Sequence, residues 1–406
     1  MPKFIVLTDE NHDKGLHSGP FGLDGLVDRS SMRRTSLVPP SPNVALEDLT
    51  RADINDLRRD PSVRAIAHSM PTRLVAPVSS GLATSTSGTA WGVLAVGAEQ
   101  SGFDGAGVCV AVLDTGIDPS HEAFNGVSLR LKNFADGPDQ AVDGNGHGTH
   151  CAGTIFGRNI DGQRIGVAPG ITDVLIGKVL SDIGSGNSHM LFEGLQWAQS
   201  NGARVISMSL GFDFPGMVDQ LVKDGWPAKL AGAAALEAYR GNLRVFDAIM
   251  DMFRALAEFD GGTVVVAASG NESERQIHPS YEVSASLPAA ALGVVSVGAV
   301  GQSAGGLTIA DFSNTNPTLS APGVSIVSAK SGGGTHILSG TSMACPHAAG
   351  VAALWWQALG HRSVPLTSSG VIARLRASAD PLIFAPGTDV AARGDGLVMA
   401  PSKAHS

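Results

Sequence analysis

Five short runs of aliphatic, mostly β-branched residues recur along this chain: V-C-V-A-V-L at 108–113, V-L-I-G-K-V-L at 174–180, R-V-I-S-M-S-L at 204–210, T-V-V-V-A-A at 263–268 and G-V-V-S-V-G-A-V at 293–300. Runs this continuous suit strands buried on both faces, as in a parallel sheet covered by helices. Helical stretches lie between them, including one over 188–200 and one opened by Ser342. The expected fold is therefore α/β, a three-layer sandwich around a mostly parallel sheet, with its functional site at the carboxyl ends of the strands.

Composition narrows the partners. A net charge of −9 gives phosphate backbones nothing to bind, so nucleic acid is not an expected partner. No apolar run approaches the roughly 18 residues of a membrane span, and no membrane association is expected. Three cysteines exclude a disulfide framework. Cys109, Cys151 and Cys345 read as small buried hydrophobes. The opening M-P-K-F-I-V-L-T-D-E has no basic stretch followed by an apolar core, and with the unpaired cysteines it gives a cytoplasmic location as the expectation, secretion staying open.

Three glycine-flanked segments carry chemistry in a fixed order. A-V-L-D-T-G-I-D supplies a carboxylate at Asp114, D-G-N-G-H-G-T-H an imidazole at His147, and S-G-T-S-M-A-C-P-H a hydroxyl at Ser342. A serine hydroxyl is a poor nucleophile until a base takes its proton, and imidazole suits that task near neutrality. A carboxylate then fixes the tautomer of the ring. The tetrahedral intermediate also needs donors for its oxyanion, and the Ser342 N–H with the Asn271 amide of A-A-S-G-N-E is the natural pair. His150, in the same H-G-T-H, is the competing base.

The order Asp, His, Ser, with D-T-G, H-G-T-H and G-T-S-M-A around the three residues, resembles the subtilisin-like serine protease family over about residues 91–402. The resemblance implies Asp114 as orienting carboxylate, His147 as general base and acid, Ser342 as nucleophile and Asn271 as oxyanion donor. It places an extended peptide beside Ser209, Leu210 and Gly211, with a first side-chain slot walled by Ala268, Ser269 and Gly270. Those residues are small and uncharged, so apolar side chains should enter, with Glu272 near the mouth tolerating a basic one. A thiol at Cys151 occurs in some members and makes them sensitive to thiol-binding metals.

The N-terminal region reads as a separate unit. K-F-I-V-L-T-D-E is a strand pattern, E-D-L-T-R-A-D-I-N-D-L-R-R-D-P a helix stopped by Pro61, and S-V-R-A-I-A-H a second strand. The resemblance makes residues 1–75 a small ferredoxin-like α+β prodomain, an intramolecular inhibitor and chaperone of a zymogen. Residues 76–90, rich in Ser, Thr and Gly, form an exposed linker holding the processing site, and 91–406 the catalytic domain.

Two departures from the family pattern stand out. About 30 extra residues follow L-G-F, giving a helical insertion over about 213–258 with apolar residues at helical spacing: Val222, Trp226 and Leu230, then Leu243, Phe246, Ile249, Met250, Phe253 and Leu256. A hairpin packed on the surface is expected, with a groove rim or a partner-docking face as the functional alternative. The chemistry requires no cofactor. The family's structural Ca²⁺ stays possible, but its site is altered: Ala123 stands at the usual Asp position, and G-R-N-I-D-G-Q-R carries Arg158 and Arg164 beside Asn159 and Asp161. Ca²⁺ needs six to eight oxygens. A serine endopeptidase acting on polypeptides through an acyl-enzyme is the leading function. A silent binding protein that keeps its prodomain, and a serine esterase, remain alternatives, although G-T-S-M-A lacks the last glycine of the esterase elbow.

Overall fold

The computed structural model describes residues 3–12, 38–78, 88–135, 137, 140–360 and 366–402. All five apolar runs contribute strands to one eight-stranded sheet. Its order from one edge is Gly306–Ile309, Val295–Ser303, Val264–Ala268, Val205–Met208, Val110–Asp114, Asp173–Lys178 and Ser128–Asn133, with Leu319–Pro322 also paired to Val295–Ser303. Every pairing is parallel except the hairpin of the two edge strands first named. Every residue of Val110–Asp114, Val205–Met208 and Val264–Ala268 is buried, which is why their apolar residues are successive rather than alternate.

Helices cover both faces. Val110, Val112 and Val266 pack against His147–Phe156 and Thr341–Gly360, whereas Ala111, Leu113, Ile206 and Val265 face Ser188–Ser200 and Ala228–Asp260. The Thr341–Gly360 helix is apolar nearly all round and buried along most of its length, as a helix in the middle of a core must be. The 204–210 run splits: Val205–Met208 joins the main sheet, and Leu210–Phe212 leaves it for a three-stranded sheet at the surface.

Around the N-terminus, Lys3–Asp9 lies between Pro42–Asp48 and Val63–His68, antiparallel to both. The sequence pattern missed the Pro42–Asp48 strand and started the helix too early. Glu47 and Asp48 pair with Phe4 and Lys3, and the helix is Arg51–Leu57, opened by a capping box in which Thr50 and Asp53 bond each other's backbone N–H. It ends before Pro61 comes into play. Ile5, Leu7, Val44 and Ala67 share a core with Phe192 and Phe246 of the larger unit. Polar contacts add to the docking, among them Val44 N–H donating to Gln196 Oε1 at 3.1 Å, Met70 N–H to Ser188 Oγ at 3.0 Å and Asn242 Nδ2 to His68 O at 2.8 Å.

Residues 76–90 are not simply an exposed linker. Val78 bridges to Ser339, and Gly88–Thr89 pairs with Gln163–Arg164; residues 79–87 lie outside the described residues. The insertion is a hairpin of Phe214–Lys223 and Ala228–Asp260. Its inner half buries Phe246, Ile249, Met250 and Phe253 and partly covers Leu243 and Leu256. Val222, Trp226 and Leu230, expected to pack, stay exposed at 42%, 42% and 53%, because the turn joining the helices stands clear of the core.

The long helix reaches the N-terminal unit at Gly241, where an added Cβ would lie 3.1 Å from Ala67 Cβ. A leucine there must push the Val63–His68 strand outward, an overpacking cost of about 1–3 kcal/mol. Gly241→Leu is expected to raise amide exchange across Val63–His68 by about tenfold or more; unchanged protection would mean that this contact does not seat the unit.

Candidate active site

Asp114 ends its strand, and His147 opens the next helix. His147 Nδ1–H donates to Asp114 Oδ1 at 2.8 Å, with both side chains buried, and Thr115 N–H donates to the same oxygen at 2.7 Å. The contact depends on two glycines. Gly116 has φ +107°, and a Cβ on Gly148 would lie 2.2 Å from Gly116 O, so only glycine lets the helix approach the turn.

Asp143, in the D-G-N-G segment, organises that approach. Its Oδ1 accepts from Thr115 Oγ1 (2.8 Å), Asn145 N–H (3.1 Å) and Gly146 N–H (2.8 Å); its Oδ2 accepts from Thr149 N–H (2.8 Å) and Oγ1 (2.7 Å). Sequence reasoning passed over this residue, since an Asp before glycine reads as a turn former.

Ser342 and Asn271 form the other half. Asn271 Oδ1 accepts from Thr341 N–H (2.9 Å) and Oγ1 (2.8 Å), and its Nδ2 donates to Ala76 O at 2.9 Å. Ser342 Oγ donates to Val75 O at 2.9 Å and lies 3.4 Å from Ser209 O. Among the described residues, the buried His147 Nε2 has no hydrogen-bond partner, and the hydroxyl is turned to the chain's own residue 75 rather than to the imidazole. Cys151 ties the halves together: its Sγ is 3.8 Å from His147 Nδ1 and donates to Ser342 O at 3.4 Å. The donor atoms of Asp114, His147 and Cys151 lie within 4.8 Å of one another, close enough to share a metal ion.

The contacts at Val75 and Ala76 belong to a longer seating. Residues Pro71–Leu74 form a strand antiparallel to both Ser185–Asn187 and Leu210–Phe212. Arg73 lies opposite Gly211 and Ser185, Leu74 opposite Leu210, and Leu74 N–H donates to Gly184 O at 2.8 Å. On the far side of Ser342, Val78 N–H donates to Ser339 O at 2.7 Å. Of the expected wall, Leu210 and Gly211 thus pair with an extended strand, whereas Ser209 contacts Ser342, its Oγ donating to Ser342 O at 3.1 Å. Ala268, Ser269 and Gly270 sit at the sheet's end below Asn271, with Gly270 N–H on Thr341 Oγ1 at 3.2 Å and Asn314 Nδ2 on Ser269 O at 3.1 Å. The opposite wall, Ser185–Asn187, was missed, although G-S-G-N directly before a helix was its signal. A cavity of about 410 Å³ between Pro71 and the start of the insertion, lined by Asp213, Met217 and Leu221, extends the groove.

Burial sets the charge states nearby. His150 is pushed down to about 3, first by burial and then by neighbouring His147, and its Nε2 faces Ile326 O (3.1 Å) and His336 O (3.2 Å). It is neutral and faces away from Asp114, so it does not compete with His147 for the carboxylate. His347 is lowered by burial to about 4 and donates Nδ1–H to Met343 O at 2.7 Å. Burial raises the Cys151 thiol well above its usual range, with Asp114 adding to the effect, so it is a poor thiolate former.

The loop whose cation site was expected to be altered is filled by arginines. Arg158 donates to the carbonyls of Phe156, Pro169 and Ile171, and Arg164 to those of Ala98, Gly166 and Val167. Asn159 and Asp161 are exposed, and Ala123 offers no side-chain oxygen. The residues present do not fit Ca²⁺.

A buried Asp–His pair, a helix-borne serine and a groove that takes an extended strand define a site of the serine-peptidase type. The chain matches the subtilase family over residues 105–396 and belongs to that family. It is similar to alkaline elastase YaB of Bacillus sp. (strain YaB), 33% identical over 313 residues covering 76% of this chain and 67% of the relative. Subtilisin-like protease 6 of Trichophyton verrucosum is 34% identical over 75% of this chain and 65% of its own length. The thermostable alkaline protease of Halalkalibacterium halodurans is 33% identical over 76% and 70%. The chain thus spans about two thirds of the length of these relatives.

Removing five bonds to Asp143 should disturb the Asp114–His147 contact before anything else. Asp143→Ala is expected to lower unfolding stability by about 2–4 kcal/mol, since several buried donors lose their acceptor. Urea denaturation of the Ser342→Ala protein with and without the second change measures it, and a loss below about 0.5 kcal/mol would give Asp143 no organising role.

Proposed function

We propose that this chain is a serine endopeptidase held as a self-inhibited zymogen, and the observation that carries the reading is the seating of residues 71–78 across Ser342. In the reaction, Ser342 Oγ attacks a peptide carbonyl while His147 Nε2 takes its proton, and Asp114 holds Nδ1–H and the resulting imidazolium. Asn271 Nδ2 and the Ser342 N–H stabilise the oxyanion. The amine leaves with the proton from His147, and water then cleaves the acyl-enzyme. Strand pairing on two walls favours an extended polypeptide over a small ester. No described helix is long and apolar enough to cross a membrane.

The tail also supports a reading of its own resistance. Pairing up to Leu74 brings the Val75 carbonyl to Ser342, yet Asn271 holds the Ala76 carbonyl. Pro77 has no N–H to give, and the next donor, Val78, takes Ser339 O. Nucleophile and oxyanion donor therefore grip different carbonyls, and the Val75–Ala76 bond is attacked only when the strand shifts. Incubation with N-terminal sequencing is expected to show a new terminus at Ala76 in the wild type and none in Ser342→Ala. Pro77→Ala should release the terminus several-fold faster, because an N–H at 77 restores the register. An intact wild type would leave a binding protein that keeps its N-terminal unit.

We further infer that Arg158 and Arg164 replace the family's cation at this loop. A chelator is expected to leave the melting temperature unchanged, whereas Arg164→Ala lowers it by about 4 °C or more. A chelator-induced drop of that size would sink the inference.

A further inference from the structure

The guanidinium of Arg73 lies between two carboxylates that the mechanism does not use: Nη2 is 3.3 Å from Glu272 Oε1, and Nη1 is 3.6 Å from Asp213 Oδ1. Arg73 stands two residues before Val75, whose carbonyl meets Ser342. Both carboxylates are placed by bonds that do not involve the tail's side chain. Asp213 caps the insertion, its Oδ1 accepting from Gly216 N–H at 3.1 Å. Glu272 Oε2 accepts from Asn314 Nδ2 at 2.7 Å. Among the described residues, Arg73 is the cation within ion-pair distance of each. When the tail leaves, two placed negative charges stay in the groove without a cation at ion-pair distance among the described residues.

We propose that Asp213 and Glu272 form a clamp for a basic side chain, arginine above lysine, on the third residue before the cleaved bond, the place Arg73 holds relative to Val75–Ala76; this rests on the peptidase reading above. A planar guanidinium offers one nitrogen to each carboxylate, and a single ammonium cannot reach both so well. Asp213 is the residue at which the insertion departs from the sheet, so the insertion takes part in substrate choice through its first residue. The groups are partly exposed, with side-chain exposures of 44% for Arg73, 24% for Asp213 and 39% for Glu272, so the effect is moderate and salt-dependent.

The test uses the full chain after self-processing and four peptides alike except for Arg, Lys, Gln or Glu at that position. At low ionic strength the Arg peptide is expected to exceed the Gln peptide about tenfold in kcat/KM, mostly through KM, with Glu below Gln. Asp213→Asn, which keeps a capping side chain, and Glu272→Gln should each reduce the ratio, and the double variant should bring it near one. Equal cleavage of Arg and Gln peptides by the wild type, or a ratio that survives the double variant, overturns the clamp. Cleavage of none of the peptides counts against the peptidase reading, and a second readout then judges the clamp without turnover. In full-length Ser342→Ala, Arg73→Gln is expected to raise exchange at the Leu74 amide several-fold, and Arg73→Lys by less. No change there overturns the clamp by itself.

Discussion

The close approach of Gly148 to Gly116 is the constraint on which the site depends. Without a Cβ on either residue, the first turn of the His147 helix lies directly on the turn after Asp114, and the imidazole meets the carboxylate at 2.8 Å. Asp143 holds the same two segments from the side through Thr115 and Thr149. The pair is buried, so its bond is not shared with solvent and the tautomer is fixed before any substrate arrives. The parallel sheet supplies the frame, since Asp114 ends one strand and Ser209 and Asn271 follow the carboxyl ends of the next two along the sheet.

The second half of the site has a different logic. Thr341 bonds Asn271, and Cys151 bonds the Ser342 carbonyl, so the serine helix is fixed to both neighbours, while the hydroxyl is free to choose its acceptor. In this structure it chooses the Val75 carbonyl. On the proposed reading, a strand paired on both edges binds tightly through its backbone, and a proline two residues beyond the contact keeps that backbone out of register with the oxyanion donor. Strong binding and slow chemistry are then compatible, because catalysis needs one carbonyl to satisfy both groups at once.

Much of this was legible in the sequence, for physical reasons that differ by element. The five buried strands announced themselves because burial on both faces demands continuous apolar runs. Asp114, His147, Ser342 and Asn271 stood out because each needs glycine neighbours for its turn. The Pro42–Asp48 strand was not legible: its Ala45, Leu46 and Glu47 are good helix formers, and its pairing with Lys3–Asp9 is a long-range choice. The apolar spacing of Val222, Trp226 and Leu230 misled, since periodicity reports a helical face and not whether anything covers it. Asp143 and the Ser185–Asn187 wall were hidden by ordinary composition, their roles arising from what the fold brings beside them.

The two arginines of the 157–166 loop bear on how the fold is held. A divalent cation gathers carbonyls only while solution supplies it, so its contribution varies with its concentration. Guanidinium groups are permanently charged, bring several N–H donors in a rigid plane, and are covalently part of the chain. Arg158 and Arg164 between them reach six carbonyls from Phe156 to Ile171 and at Ala98. On the proposed reading, the loop after the His147 helix is fixed by the chain's own charge, and the position of the imidazole becomes independent of any ion.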